Sequence, residues 1–192
     1  MRQLTYAVLK EGDGGILRQA PERVLQFGEG NFLRGFADDF IDRMNERAGF
    51  YGRVVVVPPA SAGKAGRINA QQGLYQLCLR GKQNGAVVEE RRMIRCISRA
   101  LDVFADWDEL LRTACQPELR FVISNTTEAG IVYDPACKLE DVPASSFPGK
   151  LTQVLYHRYK AGKKGIIMLA CELIDNNGKE LLKCVNQYID QW

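Results

Sequence analysis

Histidine is almost missing from this chain, with His157 the single example among 192 residues. That excludes a histidine-rich metal centre. The six cysteines (Cys78, Cys96, Cys115, Cys137, Cys171 and Cys184) stand singly, without a CxxC pair. No metal is expected, and the thiols read as reduced residues packed as small hydrophobes. Long apolar runs are absent too. The longest, Val54-Val55-Val56-Val57 and Ile166-Ile167-Met168-Leu169-Ala170-Cys171, have the length of strands and not of a membrane span, so no membrane partner is expected. The opening residues, Met1-Arg2-Gln3-Leu4-Thr5-Tyr6, hold neither an apolar signal core nor a small-residue cleavage site, and the expectation is a cytoplasmic protein. Neither charge dominates. The 26 basic and 23 acidic residues are interspersed, and a net charge of +3 denies the chain the basic stripe of a nucleic-acid binder. The densest basic cluster, Arg91-Arg92-Met93-Ile94-Arg95, lies beside Glu89 and Glu90 and reads as the solvated face of a strand.

What is present is a core-forming composition, 46% hydrophobic, in a length that suits one domain over residues 1–192. Apolar runs of strand length alternate with stretches of helical period, the signature of βαβ units. The first strand is Arg23-Val24-Leu25-Gln26-Phe27. A helix follows over 32–47, with an apolar stripe of Phe32, Phe36, Phe40 and Met44 flanked by Leu33 and Ile41, and Gly49 ends it. Residues 53–57 form a second strand, buried on both faces as parallel strands are. Two strand-like segments, 74–80 and 86–97, flank Lys82-Gln83-Asn84-Gly85, whose Asn-Gly predicts an antiparallel hairpin insertion. Further along come a helix over 107–115 opened by Asp106 and Glu109 as a capping-box-like pair, a strand over 120–125, and a proline-bearing loop over 134–148. A helix outlined by Leu151, Val154, Leu155 and Tyr159 and the most apolar strand, over 165–172, come next. A last helix marked by Leu181, Val185, Ile189 and Trp192 runs to the end of the chain, as in a domain cut from a longer protein. The fold class that results is α/β: a Rossmann-like, doubly wound, mainly parallel sheet with an antiparallel hairpin insertion.

Between the first strand and the first helix lies Gly28-Glu29-Gly30-Asn31-Phe32-Leu33-Arg34-Gly35. Strand, glycine turn and helix in that order make a phosphate site: one glycine permits the tight turn, the next lets a pyrophosphate reach the backbone, and the helix start favours the anion. Gly28 and Gly30 take those two places. The third glycine of the usual fingerprint is replaced by Leu33, and a bare GxG also occurs in turns that need glycine for shape alone. The end of the second strand, Val57-Pro58-Pro59-Ala60-Ser61, carries no acid for the adenosine ribose, and Lys64 and Arg67 follow. NAD and NADP both remain open on this reading.

The run from Val24 through Phe36, including Phe27-Gly28-Glu29-Gly30-Asn31-Phe32-Leu33-Arg34-Gly35, resembles the opening of the mannitol dehydrogenase family. So do Val54-Val55-Val56-Val57, Gly73-Leu74-Tyr75, the segment Arg120-Phe121-Val122-Ile123-Ser124-Asn125-Thr126-Thr127-Glu128-Ala129-Gly130-Ile131, and Cys171-Glu172-Leu173-Ile174-Asp175-Asn176-Asn177-Gly178. The resemblance runs from about Pro21 to the end, and the two long blocks are far more specific than the turn. It implies an N-terminal nicotinamide-binding domain followed by a helical domain that supplies a catalytic lysine. That second domain has no counterpart here and would be this chain's intramolecular partner. No catalytic residue is therefore expected within the chain, which alone should not turn over.

The cofactor implied is NAD, with NADP not excluded, held by Phe27, Gly28, Glu29, Gly30, Asn31, Phe32 and Arg34, by Asn125, Thr126 and Thr127 at a strand end, and by Glu128. Glu172 and Asn177 fall on the substrate side. Mannitol dehydrogenases carry Cys-Asp-Asn where this chain has Cys171-Glu172-Leu173, so the amide that polarises the substrate carbonyl has no match at Leu173. That departure favours the uronate branch, whose reaction is reversible hydride transfer to the keto group of a sugar acid, D-tagaturonate giving D-altronate. The alternatives are a fructuronate reductase or polyol dehydrogenase of the same family, or a nucleotide-sensing module without chemistry. A face that meets a second domain should also be unusually apolar and promote self-association of the isolated chain.

Overall fold

The computed structural model describes residues 4–9, 17–59, 63–127 and 129–192. Its centre is a five-stranded sheet in the order β5-β2-β1-β6-β7, with every neighbouring pair parallel. The strands are β1 (Glu22–Phe27), β2 (Arg53–Val57), β5 (Ile97–Ala100), β6 (Phe121–Ser124) and β7 (Ile167–Ala170). A parallel sheet needs both faces covered, and Val54, Val55, Val56 and Val57 are accordingly all buried. On one face lie α1 (Asp38–Arg47) and α2 (Lys64–Ala70); on the other lie α3 (Trp107–Ala114), α4 (Phe147–Lys160) and α5 (Asn177–Gln191). Two clusters result, one containing Val24, Leu33, Ile41, Val54, Val56 and Ile97, the other Leu25, Val55, Leu110, Val122, Leu151 and Leu181. The doubly wound sheet expected from the sequence is present.

The hairpin is also present, with β3 (Tyr75–Gln83) antiparallel to β4 (Ala86–Ile94) in a separate two-stranded sheet. Residues 84 and 85 turn it at positive φ, 52° for Asn84 and 81° for Gly85. The segment 86–97 is not one strand, however: β4 ends at Ile94, and Ile97–Ala100 is β5, which leaves the hairpin to pair in parallel with β2. Helix α2 was not legible, since its seven residues include Gly66 and present no extended stripe.

Two further expectations need correction. Asp106 does not cap α3 with its side chain; its carboxylate accepts from the Asp102 amide at 2.8 Å, while Glu109 accepts from Arg99 at 2.6 Å and from Arg112. The basic cluster on β4 is only partly solvated. Arg92 reaches across to α1, 2.9 Å from Asp39 and 3.3 Å from Asp42, and Arg95 meets Glu46 at 2.6 Å, so these arginines clamp the hairpin to the acidic face of α1. The apolar strand read over 165–172 is β7, at the edge of the sheet. Ile167 is 53% exposed and Leu169 43% exposed, because α1 and α2 sit over the opposite half of the sheet.

The stripe on the first helix divides for the same reason. Leu33 and Ile41 enter the core, whereas Phe32, Phe36, Phe40 and Met44 stay exposed and stack on one another, Phe32 on Phe36 at 5.3 Å and Phe36 edge-on to Phe40 at 5.9 Å. Across the sheet, one buried cation closes the other layer. Arg158 of α4 is 3% exposed, and its guanidinium donates to the carbonyls of Ala114, Gln116, Leu119 and Lys164 at 2.6–3.3 Å, satisfying the end of α3 and two loops at once. A single ammonium cannot span four carbonyls. Arg158→Met, and Arg158→Lys nearly as much, should therefore lower stability by about 3 kcal/mol, read as a fall in the urea midpoint; an unchanged midpoint for either would remove this role from Arg158.

Candidate functional site

The turn after β1 is built by two glycines that do different things. Gly28 has φ +111°, and a Cβ there would lie 2.6 Å from the Asn125 carbonyl oxygen and 3.0 Å from Leu33 Cδ1. Its amide donates to Val57 O at 2.9 Å, while the Asn125 amide donates to Phe27 O at 3.1 Å. Gly28 is thus fixed between the ends of β2 and β6, and only glycine fits. Among the described residues, no atom lies within 4 Å of a Cβ added at Gly30, so those surroundings do not require glycine. Open space over a backbone that starts a helix is what a bound pyrophosphate needs. Leu33, standing where the third glycine would be, is fully buried against Gly28 and the sheet, and the helix opens as a π-turn, Leu33–Ala37, that makes room for it.

Sequence-assigned residues of this turn separate by exposure. Phe27 is 4% exposed and packs on Phe147 at 5.3 Å, so it offers the turn its backbone and not its ring. Glu29 is half-buried and pairs with Lys64 at the start of α2, 3.0 Å away. Gly30, Asn31 and Phe32 are exposed at the rim. The Arg34 guanidinium lies over the Tyr75 ring, 4.4 Å from its centroid.

Beneath the turn is a buried polar group that sequence reading missed. Asp38 is fully buried at the start of α1, and Tyr75 Oη lies 2.7 Å from Arg34 O and 3.1 Å from Asp38 Oδ2. One hydroxyl proton cannot serve two acceptors. The arrangement is satisfied when Tyr75 donates to Arg34 O and a protonated Asp38 donates to Tyr75 Oη. Burial, opposed by Tyr75, Gln26 and Arg34, pushes the Asp38 pKa up to about 7. Asp38 Oδ1 and Gln26 Oε1 have no hydrogen-bond partner among the described residues, and both residues line a cavity of about 10 Å³ together with Arg34 and Tyr75. The only signals in the sequence are a glutamine in mid-strand and an aspartate on the inner side of a helix.

The second half of the site gathers at the ends of β6 and β7. Glu172 is 3% exposed, and its carboxylate accepts from Ser124 Oγ at 3.1 Å, from the Thr126 amide at 3.1 Å and from Thr126 Oγ1 at 3.2 Å. Asn125 donates through Nδ2 to the Cys171 carbonyl in a short bond. Asn177 donates to Glu172 O at 3.0 Å and accepts from the Gly178 amide at 2.7 Å. These contacts tie the two strand ends into one unit. Asn125, Thr127, Ala129, Glu172 and Leu173 line an open cavity of about 510 Å³ above it. Glu128 lies outside the described residues. Because β1 and β6 are adjacent while their connections run to opposite sides of the sheet, the crevice between Gly28 and Asn125 is the topological switch point, where doubly wound sheets bind ligands.

Comparison with known proteins agrees with this architecture. Residues 22–192 match the family model described as the mannitol dehydrogenase Rossmann domain. Over 178 residues the chain is 55% identical to altronate oxidoreductase of Phocaeicola vulgatus and 50% identical to that of Bacillus subtilis, in each case covering 91% of this chain. The chain spans 37% of the length of these relatives. Among solved structures, the ternary complex of Pseudomonas fluorescens mannitol 2-dehydrogenase with NAD and D-mannitol superposes with a TM-score of 0.78 over 91% of this chain and 38% of that one, and a substrate-free D-sorbitol dehydrogenase with 0.74 over 91% and 39%, both at 21% identity. At that identity the likeness is one of fold.

The buried carboxyl makes stability depend on pH in a direction opposite to that of a salt-bridged acid. With Asp38 at about 7 in the fold against 3.8 for an ordinary aspartate, its contribution is fully present below about pH 4 and is lost as pH rises through 7. Asp38→Asn keeps the shape and removes the titration. The variant should match the unsubstituted chain in thermal melts near pH 3.5 and exceed it by a margin that grows up to about pH 7; parallel profiles would show that Asp38 does not hold the proton.

Proposed function

Since the chain belongs to the mannitol dehydrogenase family, we propose that it is the cofactor-holding part of an NAD-dependent sugar-acid oxidoreductase that interconverts D-tagaturonate and D-altronate. The observation that carries this reading is the Gly28–Gly30 turn locked against Asn125 at the switch point, with open space at Gly30 where a pyrophosphate would lie. The substrate is carried over from altronate oxidoreductases at 50–55% identity.

In this reading Gly30, Asn31 and Phe32 present backbone N–H groups at the helix start to the pyrophosphate, and Gly28 keeps that backbone in place. Asn125, Thr126 and Thr127 line the nicotinamide side of the crevice. Glu172 and Asn177 act there as positioning residues: the Glu172 carboxylate is occupied by Ser124 and Thr126, so it shapes the wall that faces the sugar acid. The bound nicotinamide supplies or accepts the hydride. The proton at the substrate oxygen comes from a lysine in a segment beyond these 192 residues, in keeping with relatives more than twice as long, so this chain binds cofactor without turning over.

Titration with NADH, followed by nicotinamide fluorescence, should saturate. Gly30→Leu should abolish saturation while leaving the melting temperature within a few degrees, because its Cβ meets no atom of the described residues within 4 Å. Gly28→Ala, by contrast, should lower stability by roughly 2 kcal/mol or more through strain against Asn125. Saturable binding that survives in Gly30→Leu would remove the turn from the cofactor site.

A further inference from the structure

Doubly wound dinucleotide domains commonly read the adenosine ribose with an acid at the end of the second strand, which accepts from the 2′-hydroxyl and repels a 2′-phosphate. Here the sequence from the end of that strand reads Val57-Pro58-Pro59-Ala60-Ser61-Ala62, without an acid, and a cation, Lys64, stands at the start of α2. By composition alone the pocket should favour a phosphorylated ribose. The structure, however, supplies a carboxylate from a different element. The Gly28 amide is bonded to Val57 O at 2.9 Å, which sets the turn directly on the end of β2. Glu29, the next residue, spans to Lys64 with Oε1 3.0 Å from Nζ. Both side chains are partly exposed, at 20% for Glu29 and 31% for Lys64, so the pair is open to solvent and is not sealed within the core. The other cations nearby are less well placed for such a role: Arg34 is stacked on Tyr75, and Arg67 is exposed one turn further along α2.

Resting on the dinucleotide reading above, the geometry points to the Glu29–Lys64 pair as the element that selects NAD over NADP, with Glu29 taking over the role of the missing strand-end acid. The carboxylate has two tasks. One of its oxygens accepts a hydrogen bond from the 2′-hydroxyl of an unphosphorylated ribose. The same group holds Lys64 in an ion pair, so that a 2′-phosphate meets a carboxylate and an already neutralised ammonium. The amide Glu29→Gln keeps the size of the side chain, loses the repulsion and releases Lys64 as a phosphate ligand.

The test is a set of titrations of this chain with NADH and NADPH, at fixed ionic strength, for the unsubstituted chain, Glu29→Gln, Lys64→Met and the double variant. The unsubstituted chain should prefer NADH, and Glu29→Gln should move the NADH-to-NADPH affinity ratio toward NADPH by roughly tenfold or more, the scale of one close charge pair. The double variant should lose the NADPH gain, because the released Lys64 is what provides it. Lys64→Met keeps the repelling carboxylate and should leave the preference with NADH, which carries the test should Glu29→Gln fold poorly; a swing toward NADPH in Lys64→Met overturns the inference. An affinity ratio within twofold of the unsubstituted value in Glu29→Gln overturns it as well while leaving cofactor binding intact. Failure of the unsubstituted chain to bind either dinucleotide overturns the underlying reading and this one with it.

Discussion

The backbone of Gly28 lies so close to the Asn125 carbonyl that no side chain fits between them, and the rest of the site depends on that approach. It joins the end of β1 to the end of β6, and the bond from the Gly28 amide to Val57 joins both to β2. Three parallel strands from distant parts of the chain therefore deliver their loops to one point. A parallel sheet makes this possible because all its strands end on the same side, and the reversal of strand order between β1 and β6 parts the loops into a crevice. Leu33 transmits the same constraint to the helix, filling the space a third glycine would have left empty.

Around that point, buried polar groups fasten what backbone pairing cannot. Tyr75, from the foot of the hairpin, bonds the Arg34 carbonyl in the π-turn, so the hairpin braces the start of the first helix. Arg92 and Arg95 brace the rest of it through Asp39, Asp42 and Glu46. Glu172 does the equivalent work between β6 and β7, and Arg158 does it for the loops at the opposite edge. In each case a charged or ionisable group has been taken out of water, a cost recovered only when most of its hydrogen-bonding capacity is met. Burial raises the Asp38 pKa to about 7 and so favours its neutral form, whereas Glu172 accepts three bonds.

The hairpin is accordingly more than a decoration on a nucleotide-binding sheet. Its tip is solvated, but its base supplies Tyr75 and Ile94 to the core and aligns the helix that follows the glycine turn. The exposed Phe32, Phe36 and Phe40, on the opposite side of that helix, show that its inner face is set by contacts with the sheet and hairpin and not by where the largest hydrophobes fall.

Sequence by itself determined the alternation of strands and helices, the hairpin turn at Asn84-Gly85, the glycine turn and its family, because each is written in neighbouring residues as period, spacing or turn chemistry. The residues at the ends of β1 and β6 could be named from sequence for the same reason. Tertiary structure alone decided that Ile97–Ala100 leaves the hairpin for the main sheet, that β7 is an exposed edge, and that Phe27 points away from the turn it precedes. It alone brought Asp38 to Tyr75, Glu29 to Lys64 and Glu172 to Thr126, contacts between residues 35 to 46 positions apart in the chain. Such pairings leave no local trace, since a lysine beside a carboxylate is the same lysine in the sequence as one in water, and only the packing of the sheet sets which it is.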